Sequence, residues 1–256
     1  LHAVQRAAAA ASAEAQPLRI IGVPVATLEA RMQALFERMY DGADVDPDSV
    51  LEGFYKPLRH LLNYGGGARF LFLLGADQRE VQRHIDALDR GERLMFTART
   101  SPYVTAGVLF EFLRMLPDSL VPSAQFEQAV ALGHADVRGM KQLVGGLPMI
   151  NRVLLSRLCA MLSVVADVVP GYEDDRALLQ LCQLFQPLIL RPASRKKAKK
   201  ADRERSVRLV WIFITSGDVF DDATTAPAMA WEQDDDASSR VAAVGHSVMP
   251  PPKPRK

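Results

Sequence analysis

The sequence predicts an all-α fold, a bundle of about eight or nine helices, from three observations. Apolar residues recur at helical spacing in segment after segment. The segments open on Asp, Ser or Pro and close on Gly or Pro. Runs with the strict alternation of a half-buried strand are negligible.

Residues 1–17 read as a loose helical lead-in, and Leu18 to Val25 as an extended segment broken by Gly22 and Pro24. Leu28, Met32, Leu35, Phe36 and Met39 form a helical stripe. Asp46-Pro47 is a cap followed by a first-turn proline. It announces a helix to about Asn63, with Phe54, Tyr55, Leu58, Leu61 and Leu62 on its apolar face. Pro57 is expected to kink or interrupt it. Tyr64-Gly65-Gly66-Gly67 is expected to be a loop, because consecutive glycines lose too much backbone entropy in a helix.

Asp77 caps the next helix, with Glu80 at its third position and Val81, Ile85 and Leu88 on one face. Asp89-Arg90-Gly91 closes it. Ser101-Pro102 opens a helix whose wide apolar face (Val104, Val108, Leu109, Phe112, Leu113, Leu116) makes it central to the bundle. Ala106 and Gly107 are small enough to admit a neighbouring backbone. Phe126 and Val130 mark a modest helix, and Met140, Leu143 and Val144 another. A stronger one begins at Asn151 and ends at Pro170-Gly171. Asp174-Asp175 caps a helix with Leu181, Cys182, Phe185 and Leu188 facing inward, bent at its end by Pro187. After a basic stretch, Val207, Val210, Trp211 and Ile214 make a final helix closed near Gly217. One helical domain over residues 18–220 is the economical reading, followed by a polar, low-complexity tail over 221–256 expected to be disordered.

At 48% hydrophobic and 24% charged residues, the composition is that of an ordinary globular domain. Cys159 and Cys182 lie on apolar helical patterns and read as buried free thiols in a reducing compartment. No uncharged run is long enough to span a membrane, and the Ala-rich start lacks the pattern of a signal peptide. A cytoplasmic location is the expectation. The triple glycine is followed by an apolar run and lacks a Walker lysine, so nucleotide binding is not expected. Neither a cofactor nor a metal constellation is visible, and the chain alone is expected to have no catalytic activity.

Several phrases resemble the GTPase-activating domain of Rho regulators, the RhoGAP family. Ile21-Gly22-Val23-Pro24-Val25 is similar to its opening F-G-V-P-L. Gly75-Ala76-Asp77 through Leu88-Asp89-Arg90-Gly91 has the length and pattern of the helix after the catalytic loop. Ala106-Gly107-Val108-Leu109-Phe110-Glu111-Phe112-Leu113-Arg114-Met115-Leu116-Pro117 resembles A-G-L-L-K-x-F-L-R-E-L-P. Leu147-Pro148-Met149-Ile150-Asn151 resembles L-P-x-x-N, and Phe185-Gln186-Pro187-Leu188-Ile189-Leu190-Arg191-Pro192 resembles F-G-P-N-L-L-R-P. The order and spacing of the phrases agree.

The resemblance implies docking on a Rho-family or related small GTPase in signal transduction. In the family, a loop arginine neutralises charge developing on the γ-phosphate. Aligned on Gly75, that arginine falls at Phe72, the supporting lysine at Phe110 and the asparagine of F-G-P-N at Leu188. Weak or absent activating activity follows as the expectation. Two other basic residues are candidate fingers: Lys56, which lies on a helix-periodic stretch too far from Gly75, and Arg69, three residues before Phe72. Arg114 is retained, either bracing loop carbonyls or bordering the partner. The implied partner surface is therefore Arg69, Phe72, Phe110, Arg114 and Leu188.

The stretch Arg195-Lys196-Lys197-Ala198-Lys199-Lys200, with Arg203 and Arg205, reads as a solvated interhelix loop, an anionic-membrane contact or an import signal. No aromatic platform accompanies it, so nucleic acid is not the expected partner. Pro251-Pro252-Lys253-Pro254-Arg255-Lys256 fits a proline-rich ligand of the SH3 type.

Overall fold

Eight α-helices and no sheet build the computed structural model, which describes residues 52–90, 92–132, 137–192 and 199–220. The segments 1–17 and 18–51, Gly91, residues 195–198 of the basic stretch and the tail from 221, including Pro251 to Lys256, lie outside the described residues.

Helix α1 (Glu52–Tyr64) buries Phe54, Tyr55, Leu58 and Leu61. The helix continues through Pro57 without the interruption that the proline could have caused, and buried residues on both sides hold it to the core. The glycines that follow form a 3-10 turn, Gly65–Gly67, rather than an irregular loop. A tightened last turn satisfies orphan carbonyls at the helix end: the Ala68 amide donates to Gly65 O at 2.9 Å.

Helix α2 (Gln78–Asp89) is capped as expected, with Asp77 Oδ1 accepting from the Arg79 and Glu80 amides at 2.9 and 3.4 Å. Helix α3 (Pro102–Met115) packs against both α1 and α2 and buries Val104, Val108, Leu109, Phe112 and Leu113 of its predicted apolar face. Gly107 admits α2 closely: a Cβ there would lie 2.7 Å from Val81 Cγ2. Ser101 makes no side-chain cap; its carbonyl takes the Thr105 amide instead.

Helices α4 (Phe126–Ala131) and α5 (Val137–Gly145) are short. Helix α6 (Met149–Val168) begins two residues before Asn151, on the Pro148 cap position. It is the one described helix long and apolar enough to cross a membrane by length and composition, yet 61% of its apolar window is buried inside the fold. That is the signature of a core helix. Helix α7 (Asp175–Ile189) is capped by Asp174, which accepts from Arg176 N and Ala177 N. Helix α8 (Lys200–Thr215) packs on α7, α6 and α4 and starts inside the basic stretch, so the cations from Lys200 onward are helical and not part of a loop.

The buried side chains of all eight helices belong to one continuous core. Cys159 and Cys182 are buried free thiols within it.

Candidate functional site

Gly75 is preceded by an apolar run, Phe70-Leu71-Phe72-Leu73-Leu74, that can only be placed by burying part of it. Leu71 is buried, Phe70, Phe72 and Leu73 are half-buried, and Leu74 stands out at 51% exposure. The segment is fastened to the turn after α6. The Phe70 amide donates to Pro170 O at 2.9 Å, and the Leu73 and Leu74 amides both return to Phe70 O. Phe70 adopts φ +52°, a left-handed conformation that is costly for a bulky residue. Its ring sits on Gly171, itself at φ +108°, so closely that a Cβ at Gly171 would lie 2.6 Å from it.

Phe72 points into a pocket of about 210 Å³ between the start of α2, helix α3 and helix α7, shared with Tyr103, Gly107, Phe110 and Leu184. Below it stands the fully buried ring of Phe185 on α7. Phe72 meets that ring edge-on with centroids 5.0 Å apart, and Phe110 does so at 5.8 Å. Edge-to-face pairs of this kind contribute about 0.5–1.5 kcal/mol each beyond their burial.

The other expected site residues lie around this cluster. Leu188, one turn along α7 from Phe185, is buried in the core and does not line the pocket. Arg114, one turn along α3 from Phe110, is exposed and pairs with Glu111 at 2.6 Å. Arg69 is exposed, its guanidinium carbon 5.2 Å from the Phe70 ring centroid. Its charge contributes to holding the Glu173 carboxyl below the usual range, behind the larger effect of backbone amides at Glu173 and Gly171. The Arg69 carbonyl accepts from Tyr103 Oη at 2.9 Å, which joins this loop to the edge of the pocket.

Lys56 serves the fold. Its ammonium donates to Leu94 O at 3.1 Å and pairs with Glu52 at 2.5 Å, while Glu52 accepts the Leu94 amide at 2.7 Å. The helix periodicity that argued against it as a finger is the reason it faces this clamp.

The bracing of loop carbonyls read into Arg114 belongs to Arg191. Its Nη2 donates to Leu116 O at 3.3 Å and Pro117 O at 2.8 Å, and its Nε lies 3.8 Å from Asp118. Arg114 is drawn to Glu111, three residues earlier on the same helix, before it can reach those carbonyls. Asn151, 4% exposed, donates to Leu120 O at 2.9 Å from α6. Asp118 accepts from Ser123, and Leu120 and Val121 bond to the carbonyls of Leu188 and Ile189. A single isolated parallel bridge, Val121 to Leu190, results. Helix periodicity puts Phe185 on the inward face, where the structure has it, but names none of its partners, and no local pattern gives Arg191 its role: Phe110 and Leu116 lie some 75 residues away from them in the chain.

Among the described residues no group of acidic, His or Cys side chains could hold a metal.

Two solved structures that share this helical arrangement carry the names of GTPase regulators. The crystal structure of human Rho GTPase activating protein 15 superposes with a TM-score of 0.57 at 21% identity, covering 65% of this chain and 82% of that one. The BH domain of Graf, described as the GTPase regulator associated with focal adhesion kinase, gives a TM-score of 0.54 at 24% identity, covering 65% of this chain and 91% of that one. At those identities the likeness is one of fold. The chain belongs to the RhoGAP domain family, whose model matches residues 54–194. Rho GTPase-activating protein 24 of Mus musculus is 34% identical over 131 residues, which cover 48% of this chain and 17% of the relative. Rho GTPase-activating protein 6 of Mus musculus is 30% identical over 163 residues, 59% of this chain and 16% of the relative. The chain thus spans about a sixth of the length of these curated relatives.

Proposed function

We propose that this domain docks on a Rho-family or related small GTPase as a regulatory module and supplies no effective arginine finger. The observation that carries the reading is the aromatic cluster of Phe72 and Phe110 on Phe185. It occupies the positions where the family pattern has arginine and lysine, with Leu188 in place of asparagine. A phenyl ring offers no donor to a phosphoryl oxygen, and a finger arginine contributes about 10³–10⁵ in rate. Membership of the family supports the class of partner. The GTPase-activating activity in the relatives' names is those proteins' own.

A second reading keeps activity through Arg69, favoured by its exposure and by the Tyr103 hydrogen bond that sets its backbone at the pocket edge. A third keeps the helices as an interaction scaffold that has lost the GTPase surface. Single-turnover GTP hydrolysis by a panel of Rho-family GTPases, with and without the domain, separates them when paired with binding to the aluminium fluoride complexes. Binding without acceleration is the expected result. Acceleration of about 10³ or more that disappears in Arg69→Ala would establish the second reading. No binding in any nucleotide state would leave the third.

A further inference from the structure

The chain's net charge of +1 conceals a strong asymmetry. Residues 191–208 hold nine basic and two acidic side chains, so +7 sits in this stretch and −6 in the remainder. Within its described part both carboxylates are engaged locally, Asp202 with Arg205 at 3.8 Å and Glu204 with Lys200 at 4.0 Å. Lys199, Arg203 and Arg208 form no ion pair among the described residues, and all three are exposed. Helix α8 turns Ser206, Val207, Leu209, Val210, Phe213 and Ile214 into the core, which forces these cations outward. Lys200, Glu204 and Arg208 succeed one another at four-residue spacing, with Arg205 beside them. Beside this face, between α8 and α4, lies a groove of about 340 Å³ lined by Ala129, Val130, Ala201 and Leu209 together with Arg205, Arg208 and the Lys200-paired Glu204.

We propose that the N-terminal half of helix α8 and this groove form a docking surface for an anionic lipid bilayer. A bilayer presents many dispersed phosphates in one plane, so cations spread along an exposed helix face contribute together without a shaped site. Guanidinium groups pair with phosphate oxygens in a planar fork, and the groove gives a headgroup room beside Arg205 and Arg208. A single-stranded nucleic acid fits less well. Trp211, the aromatic residue that follows on α8, is partly buried against the core, and no aromatic side chain lines the groove for a base to stack on. The surface shares no residue with the Phe72–Phe110–Phe185 pocket, so it stands or falls independently of the GTPase reading.

The test is cosedimentation of the full 256-residue chain with vesicles of phosphatidylcholine alone, or with about a third phosphatidylserine. The chain is expected to sediment only with the anionic vesicles and to be released by about 0.5 M salt. The variant Lys199→Gln, Lys200→Gln, Arg203→Gln and Arg208→Gln, all at exposed positions, is expected to weaken binding by at least about tenfold with unchanged thermal unfolding. Failure to sediment with anionic vesicles overturns the proposal. So does a variant that binds like the parent, which would move the contact off α8. Stronger retention by RNA or duplex DNA than by the vesicles overturns it in favour of a nucleic acid.

Discussion

Two polar neighbourhoods of this domain have had opposite fates. Around the bend after α3, polar residues of the family's phrases persist: Asn151 holds Leu120 O, and Arg191 holds Leu116 O and Pro117 O. At the pocket ahead of α2, the positions that the resemblance aligns with arginine and lysine are Phe72 and Phe110, and the one it aligns with asparagine is Leu188, in the core beside them. The retained groups satisfy carbonyls of the chain's own backbone, buried at Leu120, part-buried at Leu116 and exposed at Pro117. On the proposed reading, the replaced ones stand where the family's polar groups would serve a partner's phosphate. A free domain has nothing there for a buried cation to pair with, and apolar packing onto Phe185 stabilises it instead. The domain has kept the polar groups that its fold requires.

That comparison is tested most severely at the ring between the two aromatic neighbours. Phe185→Ala removes a fully buried side chain that both Phe72 and Phe110 contact, and should cost about 3–5 kcal/mol in urea unfolding. A loss under about 1 kcal/mol would show that the cluster is not a packed unit.

On the other side of the comparison, Arg191→Ala should cost about 1–3 kcal/mol, because two carbonyls lose their donor. Arg191→Lys should recover only part of this, since an ammonium cannot reproduce the fork. A neutral Arg191→Ala would remove the contrast between the two neighbourhoods.

Phe72→Arg asks whether the missing finger alone accounts for the expected inactivity. We predict that single-turnover hydrolysis stays below the roughly 10³-fold acceleration of a finger arginine. The loop is held at Phe70 and Pro170, and Phe110 and Leu188 offer no polar support. Full acceleration would narrow the loss to one residue.

Alkaline pH probes the apolar interior more gently. Burial pushes Cys182 up to about 12 and Cys159 higher still. Each folded thiol therefore keeps its proton where an unfolded one releases it. Their contribution to stability is complete below about pH 8.5 and is lost progressively as pH rises towards the folded values. Urea midpoints measured from pH 7 to 10 should fall, and less so in a double Cys→Ala variant measured against its own pH 7 value. The smallest effect is expected at Arg114. Its exposed pair with Glu111 should contribute under about 1 kcal/mol, so any loss of GTPase binding in a stably folded Arg114→Ala would report partner contact.

Much of the architecture was legible from local chemistry. Asp77 and Asp174 cap their helices with the amides their positions predict, Pro102 opens α3, and Gly107 marks the close approach of α2. These signals act within a few residues, or, for Gly107, through side-chain size. The misreadings share a cause. Pro57 and the three glycines were judged by intrinsic cost, and packing against the core outweighed it at Pro57 while a 3-10 turn accommodated the glycines. The start of α8 was hidden because Lys200 to Arg205 looks like a loop by charge until the buried face that follows extends the helix back into it.

For the site, the sequence by itself determined that residues 72, 110 and 188 are apolar, and the proposal that they replace polar positions of the family pattern rests on motif spacing read without coordinates. Only the tertiary structure decided what those residues do. It gathers Phe72 and Phe110 onto Phe185 while keeping Leu188 in the core, assigns the carbonyl brace to Arg191 rather than Arg114, and commits Lys56 to Glu52 and Leu94. The physical reason is range. Capping and periodicity are set by neighbours along the chain, whereas a ring contact between residues 110 and 185 depends on how whole helices pack.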